Sequence, residues 1–171
     1  MRKIMMWIVT VPLILSAVLG LSGCGAVKDE WYKDAVEYYR QGVVYGKEGD
    51  SSQLNIPREI LGKGKAIGYL LHDLDGDGRS ELLIGFNGAG GITKFTNVVV
   101  KHSDFGAYSL LNVGSGYYIY LCNDDVLRVD SWYGDETKVE YMKFDSKSNS
   151  FEIINNGAGK YSPKKWKLTE F

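Results

Sequence analysis

Ten residues constrain this chain more than any others: Asp73-Leu74-Asp75-Gly76-Asp77-Gly78-Arg79-Ser80-Glu81-Leu82. Three aspartates stand at alternate positions of a glycine-bearing turn, and a fourth carboxylate follows at Glu81. Apolar runs flank the turn, Ile67-Gly68-Tyr69-Leu70-Leu71 before it and Leu82-Leu83-Ile84-Gly85-Phe86 after it. Both are of strand length and bounded by turn residues. The pattern predicts two strands joined by a tight acidic loop. Carboxylates this close repel one another unless something positive sits among them.

Calcium takes six to eight hard oxygen ligands at roughly 2.3–2.6 Å in a tolerant geometry. A tightly curled chain can aim Asp73, Asp75 and Asp77 at one point. Gly78 supplies the sharp turn, with a positive φ that glycine adopts at no steric cost. The carbonyl of Arg79 comes next, and Glu81 reaches the ion directly or through water. These positions match the first part of an EF-hand loop. Ile84, however, stands where the bidentate Glu belongs, and the flanks are strand-like rather than helical. The expectation is an EF-hand-like calcium loop in a β context, its remaining ligands coming from elsewhere or from water. The plainer alternative is a polar hairpin turn with no ion.

Asp-x-Asp-Gly-Asp-Gly-x-x-Glu-Leu between apolar strands resembles the calcium loops of FG-GAP/integrin-α-type repeats. It resembles still more a group of small Firmicutes lipoproteins that carry one such loop after a helix and before a run of short strands. That resemblance implies Asp73, Asp75, Asp77, Arg79 by its carbonyl, and Glu81 as metal ligands. It implies no catalytic residue. A β-propeller needs several blades, and the chain has one such loop.

The N-terminus reads as a targeting segment. Met1-Arg2-Lys3 is positive, residues 4–21 are mostly apolar, and Leu21-Ser22-Gly23-Cys24 follows. That order describes a secretory signal peptide, and the final four residues resemble the bacterial lipobox. The resemblance implies cleavage before Cys24 and a lipid on its thiol, placing the protein on the extracytoplasmic face of a cell membrane. Two or three acyl chains hold a protein durably where one does not. The competing reading is an uncleaved transmembrane helix, for which residues 4–21 are just long enough. The expected division is 1–23 signal peptide, 24–27 lipidated cysteine and short tether, and 28–171 one globular domain.

With residues 1–23 removed, 18 basic and 21 acidic side chains remain, a net charge of −3. That excludes a nucleic-acid footprint. If Cys24 is lipidated, Cys122 is the only other cysteine, so no intrachain disulfide remains. Its setting, Tyr117-Tyr118-Ile119-Tyr120-Leu121-Cys122, reads as strand, which favours a buried, inert thiol.

A helix is expected from Lys28 or Asp29 to near Gly46. Trp31, Ala35, Tyr38, Tyr39, Gly42 and Val43 fall on one face. Pro57 fits the first turn of a short helix through Leu61. Short strands are expected near 66–72, 81–86, 95–102, 107–113, 117–122, 126–133, 137–144 and 150–154, separated by Gly, Asn and Asp clusters. The apolar phase slips between Val139/Tyr141 and Met142/Phe144. A bulge near Tyr141-Met142 explains the slip, as does a strand end covered on both faces. Residues 161–168 could close the sheet as a last edge strand. The fold class is α+β, mainly β: an N-terminal helix followed by an antiparallel β-meander of about eight short strands.

Other motifs carry less. Gly88-Ala89-Gly90-Gly91 is followed by the β-branched run Phe95-Thr96-Asn97-Val98-Val99-Val100, so it reads as a hairpin loop rather than a dinucleotide fingerprint. Asp104-Phe105-Gly106 lacks the rest of a kinase. His72 beside Asp73, and His102 near Asp104, could serve as acid–base pairs. They read more simply as residues at strand ends. Trp132 and Tyr133, with Tyr117, Tyr118 and Tyr120, could form an aromatic platform for a sugar or a partner, or simply pack a half-buried sheet.

The function expected is a lipid-anchored surface module with a structural calcium ion and a protein or glycan partner, with no residue assigned to catalysis. The alternatives are a metal-dependent hydrolase of the cell envelope and a cell-wall glycan binder using Trp132 and Tyr133.

Overall fold

The computed structural model describes residues 32–47, 49, 53–102, 106–114, 116–154 and 159–171, apart from the side chains of Lys65, His102 and Tyr133. Among the described residues one α-helix, α1 (Lys33–Tyr45), precedes nine strands: β1 (Ile67–His72), β2 (Glu81–Asn87), β3 (Thr93–His102), β4 (Gly106–Asn112), β5 (Tyr117–Leu121), β6 (Leu127–Tyr133), β7 (Glu136–Asp145), β8 (Ser150–Ile153) and β9 (Thr169–Glu170). All strands pair antiparallel in one sheet. The mainly β reading holds, and the eight expected strands appear within two residues of their expected bounds.

The sheet is not a simple meander. Its order is β8-β7-β6-β5-β3-β2-β1-β9, with β4 also on β3. The ten-residue β3 serves two partners along one edge. Asn97 to His102 pair with β4, and Phe95 pairs with Ile119 of β5. Two irregularities bend this centre, opposite Ile84/Gly85 and at Val98/Val99. The first leaves Thr96 unpaired with β2, so Phe95 and Val98 both reach the same core face. A bulge adds twist and re-aims side chains in this way. Gly85 sits at that point because a Cβ would collide with the Lys94 carbonyl and the Phe95 Cα.

Both faces of the central strands are buried. On one, Leu83, Phe95, Val98, Val100, Ile119 and Leu127 form a core that Leu74 and Phe144 complete. On the other, Leu82, Ile84 and Val99 meet Tyr32, Ala35, Tyr39 and Val43 from α1 and its cap. The helix stripe expected from spacing is therefore the buried one, and its members Ala35, Tyr39, Gly42 and Val43 are buried. Gly46 ends the helix in the left-handed conformation, and its N–H returns to Gly42, as a glycine just past a helix end commonly does. The expected start at Lys28 or Asp29, and Trp31, lie outside the described residues.

Three expectations need correction. Residues 58–62 form a turn rather than a helix, closed by the Ile60 N–H on the Pro57 carbonyl at 3.0 Å. No bulge occurs at Tyr141-Met142, since the β6–β7 register runs unbroken from Tyr133↔Glu136 to Leu127↔Met142. The apolar phase slips there because both faces are covered: Tyr141 packs with Tyr120, Cys122 and Tyr161, and Phe144 lies in the opposite core. Residues 161–168 are not a strand. They cross the end of the sheet, with Pro163 bridging Cys122 and Thr93 N–H on the Lys164 carbonyl, before β9 pairs with β1.

Candidate metal centre

His72↔Glu81 is the last paired step of the β1–β2 hairpin, so residues 73–80 must reverse the chain. Backbone N–H groups wind around the aspartates as they do so. Gly76 and Gly78 donate to the two carboxylate oxygens of Asp73, each at 2.9 Å. Asp77 donates to Asp75 Oδ1 at 3.2 Å, and Arg79 to Asp77 Oδ1 at 2.7 Å. Gly76 and Gly78 take φ of 77° and 86°, where L side chains are disfavoured. Leu74 turns the other way and is only 2% exposed, which pins the loop to the core.

Asp73, Asp75 and Glu81 come together: one ligand oxygen from each lies within 4.8 Å of the others. Oxygens bound to one calcium ion lie at most about 5 Å apart, so the group can hold a metal ion. Glu81 is the critical member. It is 5% exposed, and it accepts the Leu74 N–H at 2.8 Å. Burial pushes its carboxyl up to about 8, and the nearby charges of Asp75, Asp77 and Asp73 add to the rise. Asp75 goes the other way. Burial opposes its ionisation, but hydrogen bonds from Ser146 and from the Asp77 N–H outweigh that and lower it.

Asp77 lies outside this group. Its carboxylate takes the Arg79 N–H and sits 4.0 Å from Arg79 Nε. Of the four expected carboxylates, Asp73, Asp75 and Glu81 converge, and Asp77 instead faces the N–H and guanidinium of Arg79.

Three long-range contacts have no counterpart in any local sequence pattern. The Ser146 N–H, from the β7–β8 turn, donates to Asp75 Oδ2 at 2.9 Å. His72 Nε2 lies 2.6 Å from Asp125 Oδ1, and its ring packs edge-on to Trp166 at 4.9 Å. Asp124 and Asp125 are both left-handed, each with φ of 56°. Runs of polar residues at 123–125 and 145–149 marked both turns in the sequence. Nothing in the sequence marked which loop they would meet.

The remaining expected residues separate. Cys122 is 1% exposed, and burial pushes its thiol up to about 11, in keeping with an inert buried group. Trp132 is 38% exposed and packs edge-on to Tyr118, over whose ring Lys94 Nζ sits at 3.9 Å. Cys24, Asp104 and Phe105 lie outside the described residues, as do the side chains of Tyr133 and His102. No helix among the described residues is long and apolar enough to cross a membrane. No family model, no curated protein and no solved structure matches this chain.

Proposed function

We propose that this chain is a lipid-anchored, extracytoplasmic binding module whose β1–β2 loop holds calcium as a structural ion. The observation that carries the calcium reading is Glu81, a carboxyl buried against three aspartates. A cation there would relieve both the repulsion and the burial cost. An all-oxygen donor set of irregular geometry suits calcium better than magnesium, which demands a near-ideal octahedron. Asp73, Asp75 and Glu81 would bind directly. Asp77 and the Arg79 carbonyl would join by a small movement or through water. The lipid anchor rests on the positive, apolar and Leu-Ser-Gly-Cys24 sequence, and it would set the module on a membrane surface.

Calorimetric titration of the purified protein with calcium tests the ion. Extracellular calcium modules bind at ~10⁻⁴–10⁻³ M. One-site binding in that range, absent in Asp75→Ala, is the expected result. Heat no larger than dilution would return the loop to a plain turn.

A second reading, glycan binding on Trp132, is favoured by one observation. Trp132 is exposed on a sheet face beside Tyr118 and Lys94, and such a surface can stack a sugar ring. Loss of polysaccharide pull-down in Trp132→Ala would support it, and unchanged pull-down would remove it.

A further inference from the structure

One concavity lies away from the metal loop. A cleft of about 790 Å³ opens between the segment 53–59 and strand β4. That is within the range of small-molecule sites, roughly 300–1,000 Å³. We propose that this cleft binds an uncharged saccharide of one or two rings. The proposal gives the binding-module reading a ligand class and rests on that reading, but not on the calcium ion.

The chemistry of the walls sets the class. Leu54, Ile56 and Pro57 give the lining its apolar part. Asn55 and Asn112 give it side-chain amides, and the Ser109 hydroxyl, already held by Tyr39 and Asn97, completes the polar part of the lining. Arg58 and Glu59, the charged residues of the lining, are adjacent and opposite in sign, so the cleft carries no net charge to select an ion. A pyranose has this same mixture, with apolar C–H faces and a rim of neutral hydroxyls.

A buried polar network holds the cleft in shape. Asn97 is fully buried in the middle of β3, where an amide is costly unless its hydrogen bonds are met. Its Nδ2 donates to the Asn55 carbonyl at 2.9 Å and to Ser109 Oγ at 3.4 Å, and Thr96 Oγ1 donates to its Oδ1 at 2.9 Å. The Tyr39 hydroxyl reaches the same Asn55 carbonyl at 3.2 Å and Ser109 Oγ at 3.0 Å. The Ser109 N–H donates to the Gln53 carbonyl at 2.8 Å. Helix, strand and segment are thus fixed to one another around the cleft. A site held before the ligand arrives loses less entropy on binding.

Gly114 provides the test. It lines the cleft, a Cβ there would meet nothing within 4 Å, and its φ lies outside the left-handed region. Gly114→Trp should therefore fold and fill the space. Ligand-observed NMR and titration with N,N′-diacetylchitobiose and cellobiose would be run in calcium and in chelator, so that failure of the ion leaves the result readable. The expected result is a dissociation constant of ~1 mM or tighter for at least one sugar. Gly114→Trp and Asn112→Ala should weaken it tenfold or more. Melting curves would check that each variant folds. Three outcomes would overturn the proposal: no binding of either sugar at ~10 mM, wild-type binding by both cleft variants, or loss in Trp132→Ala alone. Binding of glycylglycine in preference to both sugars would overturn it as well.

Discussion

The β1–β2 loop and the β7–β8 turn both place aspartate between antiparallel strands, and they meet where Ser146 donates to Asp75. They treat charge differently. Asp145, at the start of the β7–β8 turn, has its own donors: the Lys147 N–H at 3.1 Å and the Ser148 hydroxyl at 2.7 Å. The Ser148 hydrogen bond, and then the Lys147 N–H, hold its carboxyl below the ordinary carboxylate range. Such an acid is content as an anion and needs no ion. In the β1–β2 loop the aspartates also collect backbone N–H groups, but Glu81 is buried with one N–H donor and three acidic neighbours. An acidic turn on its own therefore says little about metal. The informative feature is a carboxylate too many for the local donors, placed where water does not reach.

Several substitutions would break or sharpen this contrast. The largest effect is expected from Leu74→Ala, which removes a buried side chain that fixes the loop to the core. Large-to-small core changes of this kind cost about 2–5 kcal/mol. Chemical denaturation should show that loss with calcium and with chelator alike. A loss confined to the calcium sample would mean the loop is not docked without its ion.

Glu81→Gln should act in opposite directions in the two conditions. In chelator at pH 8 it removes a strained carboxylate and should raise the melting temperature. In saturating calcium it removes a ligand and should forfeit most of the gain, which is about 2.7 kcal/mol at 100 times the dissociation constant. The same direction of change in both conditions would separate Glu81 from the ion.

The pH dependence without calcium follows from the same residue. Glu81 ionises near 8 in the folded protein against an ordinary value of 4.5. Between those values the folded state holds a proton that the unfolded state has released. Stability is therefore full below about 4.5 and falls as pH rises through about 8. Chelated protein should melt lower at pH 8.5 than at pH 6, by roughly 5 °C, from this group. Calcium should flatten the difference and release a proton on binding, read from calorimetry in buffers of different ionisation enthalpy. A flat profile in chelator would show that Glu81 is not held neutral.

Asp145→Ala should give the smallest change, a slight decrease of equal size with and without calcium. A calcium-specific effect there would make the two turns one site and erase the contrast.

The parts of this fold governed by local pattern were legible in the sequence. Alternating apolar runs between Gly, Asn and Asp clusters placed eight strands, and the spacing of Ala35, Tyr39 and Val43 gave the buried helix face. The crossover that sends β5 past β4 onto β3 was not legible, because it depends on one ten-residue strand serving two partners. Nor was Asn97, although a Thr-Asn pair inside Phe95-Thr96-Asn97-Val98-Val99-Val100 is a signal that a buried strand has polar work to do. At the candidate site, Asp73, Asp75 and Glu81 could be chosen by spacing. Asp77 shares that spacing but spends its carboxylate on Arg79, which only the backbone path decides. Ser146 reaches Asp75 across 71 positions of chain, and Asp125 and Trp166 reach His72 at the end of β1 across 53 and 94, and no local pattern carries such contacts.

The most direct test of the account is a thermal melt of the purified protein at pH 7.5, in millimolar calcium and in chelator, beside Asp75→Ala. The melting temperature of the wild type should rise clearly with calcium, and that of the variant should not. Superimposed wild-type curves, with calcium and with chelator, would contradict it and make the β1–β2 loop a turn that carries its acids without an ion.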